Sequence, residues 1–275
     1  GFKWYVKEIA TDKHYILSDT KYEFDTEYQG QDVKVIDIKV NNDKAIENNL
    51  IYGSVKGLKV DRETQKVIKG ATFGLFFANT SELTEKNAVL TAVTDENGIF
   101  TFTNVPYGEY IIKELNPAEG YLDNEDIFKV TISTHEQTIE LTPINDRIPE
   151  LETTATVDGN KEVNATEVFT LTDTVEYKHL VPGKEYVLKG VLMNKATGKA
   201  LELDGKEITS EVKFTPEQPS GTVDVLFTFD SKFIKTETQI VAFEYLYKDG
   251  KELATHTDIE DEGQTVTVKI PSIKT

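Results

Sequence analysis

The 275-residue chain contains no cysteine. Disulfides and thiolate chemistry are excluded, so any covalent staple must be built from other side chains. That matters for an extracellular all-β protein, because such proteins often depend on staples. No apolar run approaches the roughly 20 residues of a membrane span. No signal peptide is recognisable, and the chain opens at Gly1 inside a strand-like pattern, which reads as a piece of a longer protein. Basic residues are also short. Thirty Lys and Arg stand against 48 Asp and Glu, a net charge of −18. Nothing would offset phosphates, so the balance argues against nucleic acid and against an anionic membrane surface. Membrane insertion is not expected, and the acidic excess reads as a well-solvated surface. Sustained helical periodicity is missing as well.

What is present is strand signal. With 38% hydrophobic and 28% charged residues, the composition is that of globular material, and the length suits two or three domains. Period-two alternation recurs in "VKVIDIKV", "IFTFTNV", "EYIIKEL", "EVFTLTDTVEY", "KEYVLKGVLM", "TVDVLFTF", "TQIVAFEYLY" and "QTVTVKI". Turn residues punctuate these runs at "DENG" 95–98, "PYGEY" 106–110, "PGKEY" 182–186, "ATGKA" 196–200 and "KDGKE" 248–252. Short strands with regular turns predict an all-β chain of tandem immunoglobulin-like sandwiches. An internal repeat divides it. Lys7, Glu8 and Tyr15 recur as Lys113, Glu114 and Tyr121, each 106 residues on, and both copies run to an Asn, in "IENNLI" and "PINDRI". Residues 1–52 therefore read as the second half of a domain whose full copy is 53–148, and 149–275 as a third unit.

Within 53–148, Lys59, Glu114 and Asn145 form a constellation. Alternation turns Glu114 inward with Tyr110 and Ile112, and Asn145 inward with Ile139, Leu141 and Pro143. Lys59 shares a face with Val55 and Gly57, a weaker signal. A buried ion pair with a hydrogen-bonded amide satisfies this pattern. So does a reaction centre. The stretch "GSVKGLKVDRETQKVIKGATFGLF…GIFTFTNVPYGEYIIKELNPAEGY…PIND" resembles the CnaB-type (SpaA-like) sandwich of Gram-positive pilins and adhesins. That resemblance implies an isopeptide bond between Lys59 and Asn145, promoted by Glu114. Burial disfavours charge, driving the amine towards its nucleophilic form and the carboxyl towards its protonated form. Folding supplies the proximity. The bond would close a loop of 86 residues, worth roughly 4–5 kcal/mol in a chain-entropy treatment borrowed from disulfides. Glu8 and Asn48 are the equivalents in the partial domain, whose lysine would lie upstream of Gly1.

In the third unit, alternation aligns Ile240, Ala242, Glu244 and Leu246 on one face, and Gln264, Val266, Val268 and Ile270 on another. It aligns Leu151, Thr153, Ala155 and Val157 on a third, and Phe169, Leu171, Asp173 and Val175 on a fourth. Thr153, Asp173, Glu244 and Gln264 are thus polar groups on apolar faces and require mutual satisfaction, with His256 in reach. A satisfied hydrogen-bond network and a Thr-based hydrolytic triad both fit the residue types. The acidic run "DIEDEG" places carboxylates as a calcium loop does, but Lys269 stands where the closing Glu belongs and strands flank it, so it reads as a solvated turn and no metal is expected. The residues "ELETTATVDG…LTDTVEY…LVPGKEYVLKGVLMNKATGK…VAFEYLYKDGKELATHTDIEDEGQTV" resemble the VaFE-repeat, ester-bond-forming domains of Gram-positive surface adhesins. The resemblance implies a Thr–Gln ester, with Thr153 as nucleophile and Gln264 as electrophile. His256 becomes general base, and Glu244 and Asp173 assist. Thr154 is the neighbouring alternative, which alternation turns outward.

The expectation is a structural stalk segment of a cell-wall-anchored Gram-positive adhesin or pilus-like protein. It needs no cofactor and is not a turnover enzyme. Its partners would be neighbouring domains of the same adhesin, with a host ligand met through a tip domain outside this sequence. The rival expectation is a host-ligand-binding module using loops 79–88 or 182–198. His14, His135 and His179 show no partner pattern in the sequence and are expected to be surface or loop residues.

Overall fold

The computed structural model describes residues 1–270; the last five positions of the third predicted unit lie outside them. Contacts divide the chain into two compact units. Gly1–Glu119 with Asp123–Asn145 forms one, and Gly120–Leu122 with the chain from Asp146 onward forms the other.

The first unit contains β1 (Phe2–Lys7), β2 (Lys21–Thr26), β3 (Tyr52–Leu58), β4 (Val60–Asp61), β5 (Thr72–Phe77), β6 (Leu90–Val93), β7 (Ile99–Pro106), β8 (Gly108–Asn116), β9 (Ile127–Ile132), β10 (Thr138–Leu141) and β11 (Ile144–Asn145). Two sheets face each other, one ordered β10-β3-β7 and the other β6-β5-β8-β9. The closing strands β10 and β11 run parallel to the opening strands β3 and β4. Phe73 of β5 stacks on Phe100 of β7 at 4.1 Å between ring centroids, so the core is the layer between the sheets. The loop at Asp95–Gly98 turns as its composition predicts. Asp95 accepts from the N–H groups of Asn97 and Ile99, and Gly98 takes φ +71°, where a Cβ would stand 2.8 Å from the Lys59 carbonyl oxygen.

Residues 1–52 differ in packing. β1 and β2 pair only with each other, and no side chain in this stretch is fully buried. Trp4 is 53% exposed. The internal repeat is nevertheless visible in three dimensions. Lys7 pairs with Asp19 as Lys113 pairs with Glu125, and Tyr15 bridges Leu50 as Tyr121 bridges Arg147.

The second unit contains β12 (Glu150–Thr156), β13 (Glu162–Asn164), β14 (Phe169–Lys178), β15 (Tyr186–Asn194), β16 (Lys199–Ala200), β17 (Glu202–Leu203), β18 (Lys206–Glu207), β19 (Thr209–Phe214), β20 (Gly221–Phe229), β21 (Thr238–Lys248), β22 (Lys251–His256) and β23 (Thr265–Lys269). One sheet is β12-β14-β20; the other is built on β13-β23-β21-β15, with β19 and β22 added at β15 and β21. Alternation is nearly strict. In β14, Phe169, Leu171, Asp173, Val175 and Tyr177 are buried and the residues between them are not.

Two sequence expectations are corrected. Segment 182–198 is not a loop: β15 occupies its middle, and Tyr186, Leu188 and Leu192 lie in the core. Ile270 stands past the end of β23 and is 39% exposed, because pairing stops at Lys269. The three histidines lie in loops, and each has a neighbour there. His14 meets Asp12 and the edge of Tyr107, His135 Nδ1 accepts from the Tyr52 N–H, and His179 lies 3.9 Å from Glu150.

Candidate functional site

Lys59 sits between β3 and β4, pinned by its own backbone. Its N–H donates to the Gly98 carbonyl at 2.8 Å, and its carbonyl accepts from Ile68 at 2.9 Å. The side chain is fully buried. Its Nζ donates to Asn145 Oδ1 at 2.6 Å and to Glu114 Oε2 at 3.2 Å, and lies 5.4 Å from the Phe73 ring centroid. Asn145 Nδ2 donates to Glu114 Oε1 at 3.0 Å. The Lys59 amine, the Asn145 amide and the Glu114 carboxyl are thus mutually hydrogen-bonded in an apolar layer. Burial pushes the Glu114 carboxyl above its ordinary pKa, while the charge of Lys59 and the hydrogen bond from Asn145 pull the other way. One contact was not legible in the sequence: Asn124 Nδ2 donates to Asn145 Oδ1 at 3.0 Å. Asn124 lies in the β8–β9 loop, where side chains have no period to read.

The partial copy repeats half of this. Asn48 Nδ2 donates to Glu8 Oε1 at 2.6 Å and to Thr11 Oγ1 at 2.9 Å, while its Oδ1 is buried without a partner. The Ser18 N–H and the Asn48 amide hold Glu8 below its ordinary pKa, the reverse of Glu114.

In the second unit four strands converge. β12 carries Thr153, and the central strand β14 carries Asp173 beside Ala155. β21 carries Glu244 opposite Gly190 and His256. Gln264 lies immediately before β23. The Ala155 N–H donates to the Gly263 carbonyl at 2.9 Å, which brings the first strand against the last. Thr153, Asp173, Glu244 and Gln264 are all buried. The Thr153 hydroxyl oxygen, both oxygens of Asp173, both of Glu244 and Oε1 of Gln264 have no hydrogen-bond partner at normal length and angle. Such a cluster is costly to bury. Burial drives the Glu244 carboxyl up to about 9, and the neighbouring Asp173 charge adds to the rise. Burial also raises Asp173, to about 6, partly offset by Glu244, Thr153 and the His256 charge. Burial and mutual repulsion thus favour a proton shared by the two carboxyls over a doubly ionised pair.

His256 is held differently from the sequence expectation. Nδ1 faces the Leu151 carbonyl at 2.9 Å and Nε2 faces Asp261 Oδ2 at 2.8 Å, so both ring nitrogens are engaged away from the Thr153 hydroxyl. Gln264 Nε2 donates to the His256 carbonyl at 3.2 Å. Asp261 stands inside the acidic run read as a solvated turn; its spacing five residues after His256 was the available signal. Lys161 also escaped notice. Its ammonium bonds the carbonyls of Glu262 and Gly263, and burial lowers its pKa against the pull of Asp173 and Asp261.

Comparison with known proteins matches residues 149–268 to the T-Q ester bond containing domain and residues 53–147 to the SpaA prealbumin-like fold domain. The chain joins a SpaA domain to a T-Q ester-bond domain. The collagen adhesin of Staphylococcus aureus is 26% identical over 197 residues, covering 65% of this chain and 17% of that protein; the chain thus spans about a sixth of that relative. The major pilin subunit of Bacillus cereus superposes with TM-score 0.48 at 15% identity, over 78% of this chain and 68% of that one. An adhesin from Mobiluncus mulieris described as containing disulfide, isopeptide and ester cross-links gives TM-score 0.40 at 19% identity, over 46% and 58%. By its description the T-Q domain is one that contains an ester bond, and the SpaA domain is one with a prealbumin-like fold.

Proposed function

We propose that this chain is a load-bearing stalk segment of a cell-wall-anchored Gram-positive surface protein, toughened by two bonds that it makes in itself. The partial domain 1–52, the SpaA domain 53–148 and the T-Q domain 149–275 are its units, and its partners are the flanking domains of the same protein. A host ligand would be met elsewhere, by a tip domain. The observation that carries this reading is the buried Lys59 ammonium within 2.6 Å of Asn145 Oδ1, with Glu114 bonded to both.

In the SpaA domain, neutral Lys59 attacks Asn145 Cγ, Glu114 carries a proton from Nζ to Nδ2, and ammonia leaves. In the T-Q domain, the Asp173 carboxylate takes the Thr153 proton. Thr153 Oγ1 attacks Gln264 Cδ, and protonated Glu244 hydrogen-bonds the developing oxyanion. Asp173 then returns the proton to the departing ammonia. His256, oriented by Asp261 and the Leu151 carbonyl, favours the ionised form of Asp173. Each site turns over once, on its own chain. Glu8 and Asn48 await a lysine from a strand outside this sequence. A pull on the ends of either domain then runs through a covalent bond joining its first and last strands.

Intact-mass analysis of the folded chain tests this directly. The expected mass is that of the sequence less two ammonias; Glu114→Ala and His256→Ala each restore one. An unmodified mass for the parent chain sinks the proposal.

A further inference from the structure

The Asn145 carboxamide is gripped from a side that the Lys59–Glu114–Asn145 reading leaves unused. Asn124 Nδ2 donates to the Ile144 carbonyl at 2.7 Å and to Asn145 Oδ1 at 3.0 Å. Its own Oδ1 accepts from the Asp126 N–H at 2.7 Å. These bonds decide the orientation of the amide: flipped, it would set an oxygen against two oxygens and an NH₂ against an N–H. The Asn145 amide is oriented in the same way by Glu114, which accepts from Nδ2. Asn145 Oδ1 therefore receives both the Lys59 ammonium and the Asn124 amide.

Attack changes which of these contacts remains. As the Nζ lone pair forms the bond to Cγ, the carbonyl π pair moves onto Oδ1 and makes it an oxyanion. Nζ is then bonded to carbon and no longer approaches Oδ1 as a hydrogen-bond donor. Glu114 contacts the two nitrogens, Nζ and Nδ2, between which the proton must pass. Collapse of the oxyanion restores the carbonyl, breaks Cγ–Nδ2 and releases ammonia, leaving the new amide with one hydrogen on Nζ. Throughout, Asn124 Nδ2–H points at Oδ1. We propose that Asn124 is a catalytic residue of the Lys59–Asn145 cross-link, the preformed donor for its oxyanion. This rests on the isopeptide reading above.

The partial copy shows the same oxygen without that donor. Ser18 stands 106 residues before Asn124, and its hydroxyl accepts from the Thr20 N–H at 3.2 Å as Asn124 accepts from Asp126. Its short side chain goes no further, and Asn48 Oδ1 is left buried and unpartnered.

The test follows bond formation in time. The full chain is made in a pulse of cell-free synthesis, quenched in acid at intervals and digested. Mass spectrometry then counts the peptide joining Lys59 to Asn145, and circular dichroism follows folding separately. Asn124→Ser copies a side chain the fold already carries at Ser18, and Asn124→Asp keeps the shape and the bond from Asp126 while removing the donor. Both should reach the parental spectrum and form the bond about a hundredfold or more slowly, the usual effect of losing one oxyanion donor. If either variant folds and links at the parental rate, the inference about Asn124 is wrong while the cross-link stands. If the parent chain itself never forms the linked peptide, the isopeptide reading fails instead.

Discussion

Asp173 and Glu244 set the pH behaviour of the T-Q domain at the level of single carboxyls. Their ordinary values are 3.8 and 4.5, and burial lifts them to about 6 and about 9. Between roughly pH 4 and 9 the native state therefore holds more protons than the unfolded state, and stability falls as pH rises through that window. A Thr153→Val chain, which forms no ester, makes the equilibrium measurable. Its T-Q domain should melt at lower temperature at pH 8.5 than at pH 5, and adding Asp173→Asn with Glu244→Gln should flatten the difference. Melting followed by circular dichroism checks this; a melting point that climbs with pH would contradict it. Thr153, Asp173 and Glu244 were legible in the sequence because a strand sends every second side chain to one face, so a polar residue in an apolar series announces itself. Asn124 and Asp261 sit in loops, where no period relates a residue to the core, and only the folded chain shows what they touch.

Between elements, two close approaches hold the T-Q site together. Gly190 of β15 faces Glu244 of β21. A Cβ there would come within 2.5 Å of Glu244 Oε1 and 2.4 Å of the Phe227 ring, so glycine makes the room that the carboxyl occupies. Gly190→Ala should displace Glu244, retain the ammonia of the T-Q domain on intact-mass analysis and cost about 1–3 kcal/mol through overpacking. Lys161, just before β13, ties the turn that presents Gln264 by bonding the Glu262 and Gly263 carbonyls. In the Thr153→Val background, Lys161→Met should lower stability by about 1–3 kcal/mol for its lost charge-assisted bonds, read from the denaturant midpoint. An unchanged midpoint would show that the turn holds without the ammonium. The strands themselves were foreseen from alternation. The strand in "KEYVLKGVLM" was among them; what misled was the Gly- and Lys-rich turns at the ends of 182–198, which look like one loop while the middle feeds the core through Tyr186, Leu188 and Leu192.

For the molecule under load, the proposed cross-links would decide how far the chain extends. The Lys59–Asn145 bond would enclose 86 residues, and a fully extended chain gains about 3.3–3.6 Å per residue. Stretched singly, the parent chain should show no release of this loop, whereas Glu114→Ala should add an unfolding step approaching about 300 Å, less the folded span. A parent trace containing that step would mean the bond bears no load. The sequence by itself determined the all-β architecture, the internal repeat and the inward polar residues of both domains, because alternation and turn chemistry are local and are written in neighbouring positions. Tertiary structure alone decided what those residues meet. It brought Asn124 onto the Asn145 oxygen, turned His256 towards Asp261 and Leu151, and bonded Lys161 to the Glu262 and Gly263 carbonyls. Those contacts join positions far apart in the chain, or lie in loops without a period, and exist only once the sheets have closed.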